Sequence, residues 1–312
     1  MLKAFRVINS GIQTTVQDLG RSGLMKYGIP PSGAMDQRSF VIGNLLLRNP
    51  NSAAALETVL QGLKLRALRR VRISITGGDL DPWLNDRPAP QWAAFTMKEG
   101  DVLHFKKRKK GLRAYVAAEG GFDVPEVLGS RSTFVRGRIG TVLHKGETLS
   151  TCFSDSEAPG DVLTLPQAYR PDFNRTDPIR VLMGPQEDYF TPRGIDTFLN
   201  STYRISPQFD RQAFRTEGPA IEIAKGPGII TDPIPRGAIQ VTGDGRPVIL
   251  LRDAQGTGGY AKIAIVARVE MDFLGQMMPG DTIRFQGIER KTALNLLHEE
   301  ADRLDKLREL LR

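Results

Sequence analysis

The sequence contains very few of the residues that build disulfide frameworks and metal centres. Cys152 is the only cysteine among 312 residues, which excludes an intrachain disulfide and a cysteine-based zinc site. The three histidines are His104, His144 and His298, and none lies near a serine or cysteine in a recognisable nucleophile motif. The sequence after His298 also lacks the second histidine of a metalloprotease helix. We therefore predict that the chain binds no metal.

Long apolar runs are also missing. No stretch approaches the ~18 apolar residues of a membrane-spanning helix, and the first residues lack the apolar core of a signal peptide. Neither G-x-x-x-x-G-K-[ST] nor G-x-G-x-x-G occurs, so a P-loop and the usual dinucleotide fingerprint are absent. We expect a cytoplasmic protein that binds no membrane and relies on carboxylates, arginine, lysine, tyrosine and glycine-rich backbone.

The composition is that of an ordinary globular chain with an excess of basic over acidic residues. It is 40% hydrophobic and 25% charged, with a net charge of +8. The run K-K-R-K-K at Lys106–Lys110 lies between two strand candidates, which predicts a hairpin tip. A solvated turn is favoured, and the alternative is a surface for an anionic partner. Because the run contains no stacking aromatic residue, we predict no nucleic-acid binding.

Short apolar runs separated by turn residues predict a closed or sandwiched β architecture in the first half. Gly77-Gly78-Asp79 is interpreted as a break between strands. The strand candidates are Leu56–Leu60, Leu63–Ala67, Val71–Thr76, Trp92–Met97 and Val102–Phe105.

Helices are predicted at three places. The turn Tyr27–Asp36 ends in Asp36, which is placed to cap a helix over Gln37–Leu47. A short helix is expected around Ile195–Leu199. From Ile288 onward, leucines recur at three- and four-residue steps among charges, which predicts a C-terminal amphipathic helix.

The segment Arg252–Ile263 reads R-D-A-Q-G-T-G-G-Y-A-K-I and lies between two apolar β-branched runs. We interpret it as a loop between strands, in which the glycines adopt positive φ and approach a bound group closely. Its varied polar residues indicate a functional site. The alternative is a glycine-rich turn whose polar residues only satisfy one another.

Two further segments carry open interpretations. Arg131 lies between two hydroxyl residues, so it either binds a carboxylate or phosphate, or ties down its own loop. Prolines, glycines and acidic residues alternate over Phe153–Asp177, which indicates a domain boundary.

The two halves also resemble each other weakly. Asp36–Phe40 is similar to Asp210–Phe214, and Glu99–Phe105 is similar to Pro279–Phe285. We interpret the similarity as a tandem duplication of one β unit, although chance can produce matches of this length.

Taken together, several segments resemble the allophanate hydrolase subunit 2 family. This family includes the C subunit of bacterial 5-oxoprolinase, the antagonist of the Kip kinase inhibitor and half of the carboxyltransferase region of urea carboxylase. The matching segments are G-I-Q-T-T-V-Q-D-L-G-R-S-G (11–23), G-I-P-P-S-G-A-M-D (28–36), L-G-S-R-S-T (128–133), G-A-I-Q-V (237–241), D-A-Q-G-T-G-G-Y (253–260) and P-G-D-T-I-R-F (279–285).

With the resemblance, the expected fold is mainly β. It comprises two cyclophilin-like β-barrel units from a tandem duplication, short helices and the C-terminal amphipathic helix. The expected limits are an N-terminal β domain at 1–175, a cyclophilin-like C-terminal β-barrel domain at 176–288 and the helix at 289–312.

The resemblance implies one component of an ATP-dependent 5-oxoprolinase, which opens 5-oxo-L-proline to L-glutamate together with its A and B subunits. ATP would be a co-substrate of that complex. The alternatives are a carboxyltransferase component of a biotin-dependent urea or amide carboxylase, and a non-catalytic regulator that binds a kinase inhibitor. Since the sequence has no biotin-acceptor A/V-M-K-M motif, biotin would have to arrive on a partner.

The resemblance also implies site residues, which we expect to share one cleft. Gly258 and Gly259 would donate backbone N–H groups to charge developing on oxygen. The loop departs from the family pattern Q-T-T-G-G-Y-P at Gly256 and Ala261, which affects the expected substrate. The catalytic candidates are Asp253, Tyr260, Asp36 and Arg131, and the substrate-binding candidates are Ser32, Gly33, Ser132, Arg211, Gln255, Thr257, Gly258 and Gly259.

Overall fold

The structure, a computed structural model, describes residues 2–152, 162–226 and 228–311. These residues form two compact units that are not continuous in sequence. Unit 1 comprises the described residues of Met1–Ser22, Ser32–Asn174 and Asp305–Arg312, and unit 2 comprises those of Gly23–Pro31 and Arg175–Leu304. The division predicted near residue 175 stays a prediction, and the first part of its proline-rich segment lies outside the described residues.

Unit 1 is built from two antiparallel sheets. Its elements are β1 (Leu2–Ser10), β2 (Gln13–Gln17), α1 (Gln37–Leu46), β3 (Ala55–Val59), β4 (Leu63–Ala67), β5 (Val71–Asp79), β6 (Pro82–Leu84), β7 (Arg87–Pro88), β8 (Ala93–Met97), β9 (Val102–Phe105), β10 (Lys110–Ala118), β11 (Phe122–Asp123), β12 (Thr148–Thr151) and β13 (Leu163–Thr164). The strand orders are β11-β12-β1-β4-β9-β6-β7 and β13-β8-β5-β10-β3-β2. Side chains from both sheets form one apolar core, which includes Phe5, Leu65, Ile73 and Phe95.

Unit 2 is built around one eight-stranded sheet. Its elements are β14 (Ile179–Met183), α2 (Pro192–Asn200), β15 (Tyr203–Phe209), β16 (Ala213–Glu217), β17 (Gly228–Pro233), β18 (Ala238–Val241), β19 (Pro247–Leu250), β20 (Thr257–Tyr260), β21 (Lys262–Val266), α3 (Met271–Leu274), β22 (Thr282–Ile283), β23 (Phe285–Gly287) and α4 (Arg290–Leu310), whose last residues belong to unit 1.

The sheet of unit 2 is nearly closed. Its order is β22-β15-β16-β19-β18-β21-β14-β23, and β17 and β20 form a separate two-stranded ribbon. Its edge strands, β22 and β23, are separated in sequence only by Arg284, so the sheet must curl until its two edges nearly meet. The predicted mainly-β fold, with short helices and a C-terminal helix, is confirmed.

The predicted helices are confirmed as α1, α2 and α4. Asp36 begins α1 as its N-cap residue, because its Oδ1 accepts a hydrogen bond of 2.9 Å from the backbone N of Ser39. Its Oδ2 also accepts a hydrogen bond from the Ser39 hydroxyl. Proline at the first turn and a Thr191 cap begin α2 in the same way.

Two local predictions in unit 1 are wrong. The glycines after Thr76 do not end a strand, since β5 continues to Asp79. Gly77 adopts φ 85° beside Arg113, in an irregular part of the β5–β10 register, so these glycines make a bulge. The basic run is not a hairpin tip either, because β9 and β10 belong to different sheets and Lys106–Lys109 connects them.

The internal resemblance has mixed structural support. In both Gly100-Asp101 and Gly280-Asp281, the glycine has positive φ and the aspartate carboxylate accepts a hydrogen bond from the backbone N three residues earlier. By contrast, Asp36–Phe40 begins a helix, whereas Asp210–Phe214 forms the turn from β15 into β16. The latter pair therefore does not correspond in structure.

Substitution of the Asp36 cap should lower stability by an amount that depends on whether the new residue keeps a capping oxygen. Asp36→Ala removes the acceptor for the Ser39 N–H and should lower the free energy of unfolding by about 1–2 kcal/mol. Asp36→Asn retains a capping oxygen and should cost less than half as much. Urea denaturation measures both, and equal losses would contradict a capping contribution.

Candidate functional site

The Asp253 loop, Arg252–Gly256, is held by a buried ion pair in unit 2. Asp253 Oδ2 lies 2.9 Å from Arg211 Nε, and its Oδ1 lies 3.3 Å from Arg211 Nη2. Both side chains are buried. The planar guanidinium therefore engages both carboxylate oxygens, which fixes the orientation of the two groups relative to each other.

Further hydrogen bonds join the same loop to the turn between β15 and β16. Asp253 N donates to Arg211 O over 2.9 Å, and Gln212 Nε2 donates to Gln255 Oε1 over 2.9 Å. A Cβ on Gly256 would lie 2.9 Å from the carbonyl oxygen of Met25, so the glycine allows this close backbone approach. Segment Gly23–Pro31, which precedes Ser32 in sequence, thus contacts the Asp253 loop.

The predicted conformation of the remaining segment is wrong. Thr257–Tyr260 is strand β20 and pairs with β17, and Gly256, Gly258 and Gly259 do not have positive φ. A Cβ on Gly258 would lie 2.7 Å from Ile234 Cδ1 and 2.9 Å from Gln240 Nε2. Gly258 is therefore required by close packing within unit 2.

The other residues of β20 are more accessible. Tyr260 is 44% exposed, and a Cβ on Gly259 would have no neighbour closer than 3.5 Å. Thr257 is exposed. This ribbon consequently presents an aromatic ring and an uncovered stretch of backbone to solvent.

Lys262 is a buried charge that the sequence indicated only as one of the varied polar residues of this segment. Its side chain is 1% exposed, and its Nζ lies 2.8 Å from Asp232 Oδ2 on β17. Gln186 Nε2 donates to the same carboxylate over 3.4 Å. The hydrogen bond from Lys262 is the main cause that lowers the pKa of Asp232, and burial opposes it. The sequence feature that could have indicated this burial is the position of the lysine at the start of the apolar run K-I-A-I-V.

In unit 1, Asp36 belongs to a buried polar network. Its backbone N donates to Tyr115 Oη over 2.8 Å, and that hydroxyl donates to Glu57 Oε2 over 2.8 Å. Met35 N donates to the same glutamate oxygen over 2.8 Å. Burial, with the nearby Glu57 charge, raises the pKa of Tyr115 well above its usual value, so the phenol stays a donor. The network positions the start of α1.

A second network in unit 1 surrounds Asp18, which the sequence patterns also did not indicate as a site residue. Asp18 Oδ1 accepts from Ser130 Oγ over 2.7 Å and from the Ser132 hydroxyl, and its Oδ2 accepts from Arg131 N over 2.6 Å. The guanidinium of Arg131 donates to Val124 O over 3.0 Å and to Glu126 Oε2 over 3.3 Å. These contacts favour the interpretation in which Arg131 ties down its own loop.

Ser32 differs from the hydrogen-bonded side chains around Asp36 and Asp18. Its side chain is fully buried, yet its hydroxyl has no hydrogen-bond partner among the residues that the structure describes. It adopts φ 56°, an uncommon conformation for a residue with a side chain. The next residue must be glycine, because a Cβ on Gly33 at φ 88° would lie 2.9 Å from Leu19 O.

The candidate residues therefore form two sets. Ser32, Gly33, Asp36, Arg131 and Ser132 belong to unit 1, and those from Arg211 to Tyr260 belong to unit 2. Their meeting in one cleft stays a prediction. Within the described ranges, no group of three His, Cys, Asp or Glu residues is arranged to hold a metal. None of the helices described combines the length and apolarity needed to cross a membrane.

The Lys262–Asp232 pair predicts unequal effects of removing each partner. Asp232→Asn leaves a buried ammonium without a carboxylate and should lower the free energy of unfolding by more than Lys262→Met does. Lys262→Met leaves a carboxylate that water reaches, so the loss should stay below about 1 kcal/mol. Chemical denaturation measures the difference, and a larger loss for Lys262→Met would contradict this account.

Known proteins match this chain along nearly its whole length. The chain is 30% identical over 303 residues to the C subunit of 5-oxoprolinase from Haemophilus influenzae, and the match covers 96% of both chains. It is 35% identical over 318 residues to the urea amidolyase of Lachancea kluyveri, but spans only 17% of that protein.

A solved structure agrees with this relationship. The crystal structure of the K. lactis urea amidolyase matches 98% of this chain with a TM-score of 0.91 and 33% identity, although the chain covers 20% of that protein. The family model described as "Carboxyltransferase domain, subdomain A and B" matches residues 27–287. With a match of that extent, the chain belongs to the carboxyltransferase domain family that spans subdomains A and B.

Proposed function

We propose that this chain is the C subunit of an ATP-dependent 5-oxoprolinase, acting in the cytoplasm with the A and B subunits to open 5-oxo-L-proline to L-glutamate. The observation that carries the proposal is the end-to-end match to a relative of nearly the same length that is named as a 5-oxoprolinase C subunit. The urea amidolyases contain the same region as a small part of a much longer chain.

The polar chemistry of unit 2 suits a small cyclic amide. Ring opening after phosphorylation of the amide oxygen, with ATP as co-substrate, requires stabilisation of negative charge that develops on oxygen. Arg211, held in orientation by Asp253, supplies positive charge, and the backbone N–H of Gly259 is a candidate donor. Tyr260 would pack against the ring of the substrate. In this proposal Asp253 orients Arg211, whereas proton transfer falls to another group.

In unit 1, Ser32 is the candidate whose hydroxyl lacks a partner among the described residues, and a substrate would reach this buried group only after a local rearrangement. A buried hydroxyl without a partner costs free energy, which a ligand that hydrogen-bonds to it would recover. Ser132 and Asp36 act indirectly in this proposal, because their side chains are engaged by Asp18 and Ser39.

The assay is glutamate release from 5-oxoproline with ATP, using this chain reconstituted with its A and B partners. Ser32→Ala should lower kcat/KM about tenfold without lowering the melting temperature, because the hydroxyl has no partner to lose in the fold. Tyr260→Phe tests the hydroxyl of the exposed ring in the same assay.

Ser206→Ala in unit 2 is the matched control. Its buried hydroxyl accepts a hydrogen bond of 3.1 Å from Gln208 N, so its removal should lower stability and leave kcat/KM unchanged. Full activity in Ser32→Ala would remove that residue from the site, and full activity in Tyr260→Phe would exclude a contribution of the tyrosine hydroxyl. Absence of glutamate release in the unmodified complex would reject the 5-oxoprolinase assignment itself.

A second candidate is the carboxyltransferase component of a biotin-dependent urea or amide carboxylase. The family description and the K. lactis structural match favour it. Carboxybiotin on a partner protein would supply the carboxyl group, and the accessible Tyr260 and Gly259 of β20 suit a flat, partly apolar group. Carboxylation of urea by a complex with a biotin carboxylase partner distinguishes this reaction from glutamate release.

A further inference from the structure

The outer face of the seven-stranded sheet in unit 1 brings together basic side chains that are distant in sequence. Lys64 on β4 lies opposite His104 on β9, which lies opposite Trp83 on β6, so the three form one row across the sheet. On neighbouring positions, Arg6 of β1 lies opposite Arg66 of β4. We call Arg6, Lys64, Arg66, Trp83, His104 and the adjacent Lys106 the basic face.

Alternation along the strands separates this face from the core. Leu65 and Leu103, which lie between the residues of the basic face, are fully buried. Arg6 and Arg66 are exposed, and Lys64 is half-buried. Side chains at alternate positions of a strand point to opposite sides of the sheet, so the cations and Trp83 share the solvent side.

No acidic residue lies on the four strands that carry this face. The strands β1, β4, β6 and β9 contain no aspartate or glutamate. Like charges directly opposite each other on adjacent strands are destabilising. The Arg6–Arg66 pair carries that penalty, and no carboxylate among the described residues forms an ion pair with Arg66 or Lys64.

The K-K-R-K-K run, which is the conspicuous charge in the sequence, behaves differently. Lys109 pairs with Asp81 over 2.6 Å and Lys110 pairs with Asp172 over 3.2 Å. Arg108 donates to its own turn at Gly111 O. Arg108, Lys109 and Lys110 are therefore neutralised or occupied, whereas Lys106 of the same run belongs to the basic face.

Lys106 covers the one large aromatic group on the basic face. Its Nζ lies 3.2 Å from the centroid of the Trp83 ring, which is a cation–π contact. Burial, together with the charges of Lys64 and Lys106, lowers the pKa of His104.

We propose that the basic face is a docking surface for an acidic segment of a partner protein. Carboxylates would offset the like-charge repulsion between strands, which lie about 4.8 Å apart in a sheet. Single-stranded nucleic acid is disfavoured because Lys106 occupies the ring face on which a base would stack. A second copy of this chain is disfavoured because its net charge is +8.

The test uses Trp83 as the reporter in the full-length chain. The protein has two tryptophans, so Trp92→Phe leaves Trp83 as the only one. The probe is a polyglutamate peptide of roughly twenty residues, long enough to cross the face at about 3.3 Å per residue. We expect a saturable change in Trp83 fluorescence that disappears in 1 M salt, where the Debye length is about 3 Å.

Charge reversal on the face supplies the specific test. Lys64→Glu/Arg66→Glu in the same background should weaken polyglutamate binding at least about tenfold. The matched control is Arg290→Glu/Lys291→Glu, which makes the same change in net charge at two exposed positions of α4 and should alter binding less than about twofold. The neutral variant Lys64→Gln/Arg66→Gln, with folding checked by circular dichroism, should show an intermediate loss.

Equal weakening by the two charge reversals would show an effect of net charge alone and would overturn the proposal. Tighter binding of single-stranded DNA than of polyglutamate at equal salt would also overturn it, because the partner class would be wrong. Neither outcome bears on glutamate release, so this proposal and the 5-oxoprolinase proposal fail separately.

Discussion

The arrangement of the loops in unit 2 depends on the buried ion pair of Arg211 and Asp253. Removing a guanidinium and a carboxylate from water costs several kcal/mol per ion, and their attraction offsets that cost only when the geometry is kept. The turn between β15 and β16 must therefore lie against the Asp253 loop. The Gln212–Gln255 hydrogen bond follows from that contact, and the pairing of Ala213 with Leu250 sets its register. Such a pair is better understood as specifying one loop conformation than as adding stability.

Local patterns in the sequence predicted the local parts of this fold. The Asp36 cap, the helix after it and the β-branched runs depend on neighbouring residues, so their signals are complete within a few positions. The glycine-rich segment before Lys262 was interpreted wrongly because glycine has two uses that composition does not separate. At Gly77 it supplies a positive φ, whereas at Gly258 it only makes room for Ile234 in a regular strand. That choice is made by residues on other strands.

Contacts with residues distant in sequence also explain which site residues were not predicted. Lys262 becomes informative only when its burial and its contact with Asp232 on another strand are known. Asp18 lies in a polar segment whose partners, Ser130 to Ser132, are more than a hundred positions away. Ser32 was selected through a family motif, but only its surroundings show that its hydroxyl is buried without a partner. Basic residues on three strands likewise had no common pattern in the sequence.

The discontinuous composition of the two units has a consequence for synthesis of the chain. Segment Gly23–Pro31 is made early but belongs to the unit assembled from residues after 174, whereas unit 1 includes residues beyond 304. Neither unit can therefore acquire all its native contacts before the residues around 304 have been synthesised. A nascent chain emerging from the ribosome would hold an incomplete first unit until that point, and during that interval chaperones have the greatest opportunity to bind it.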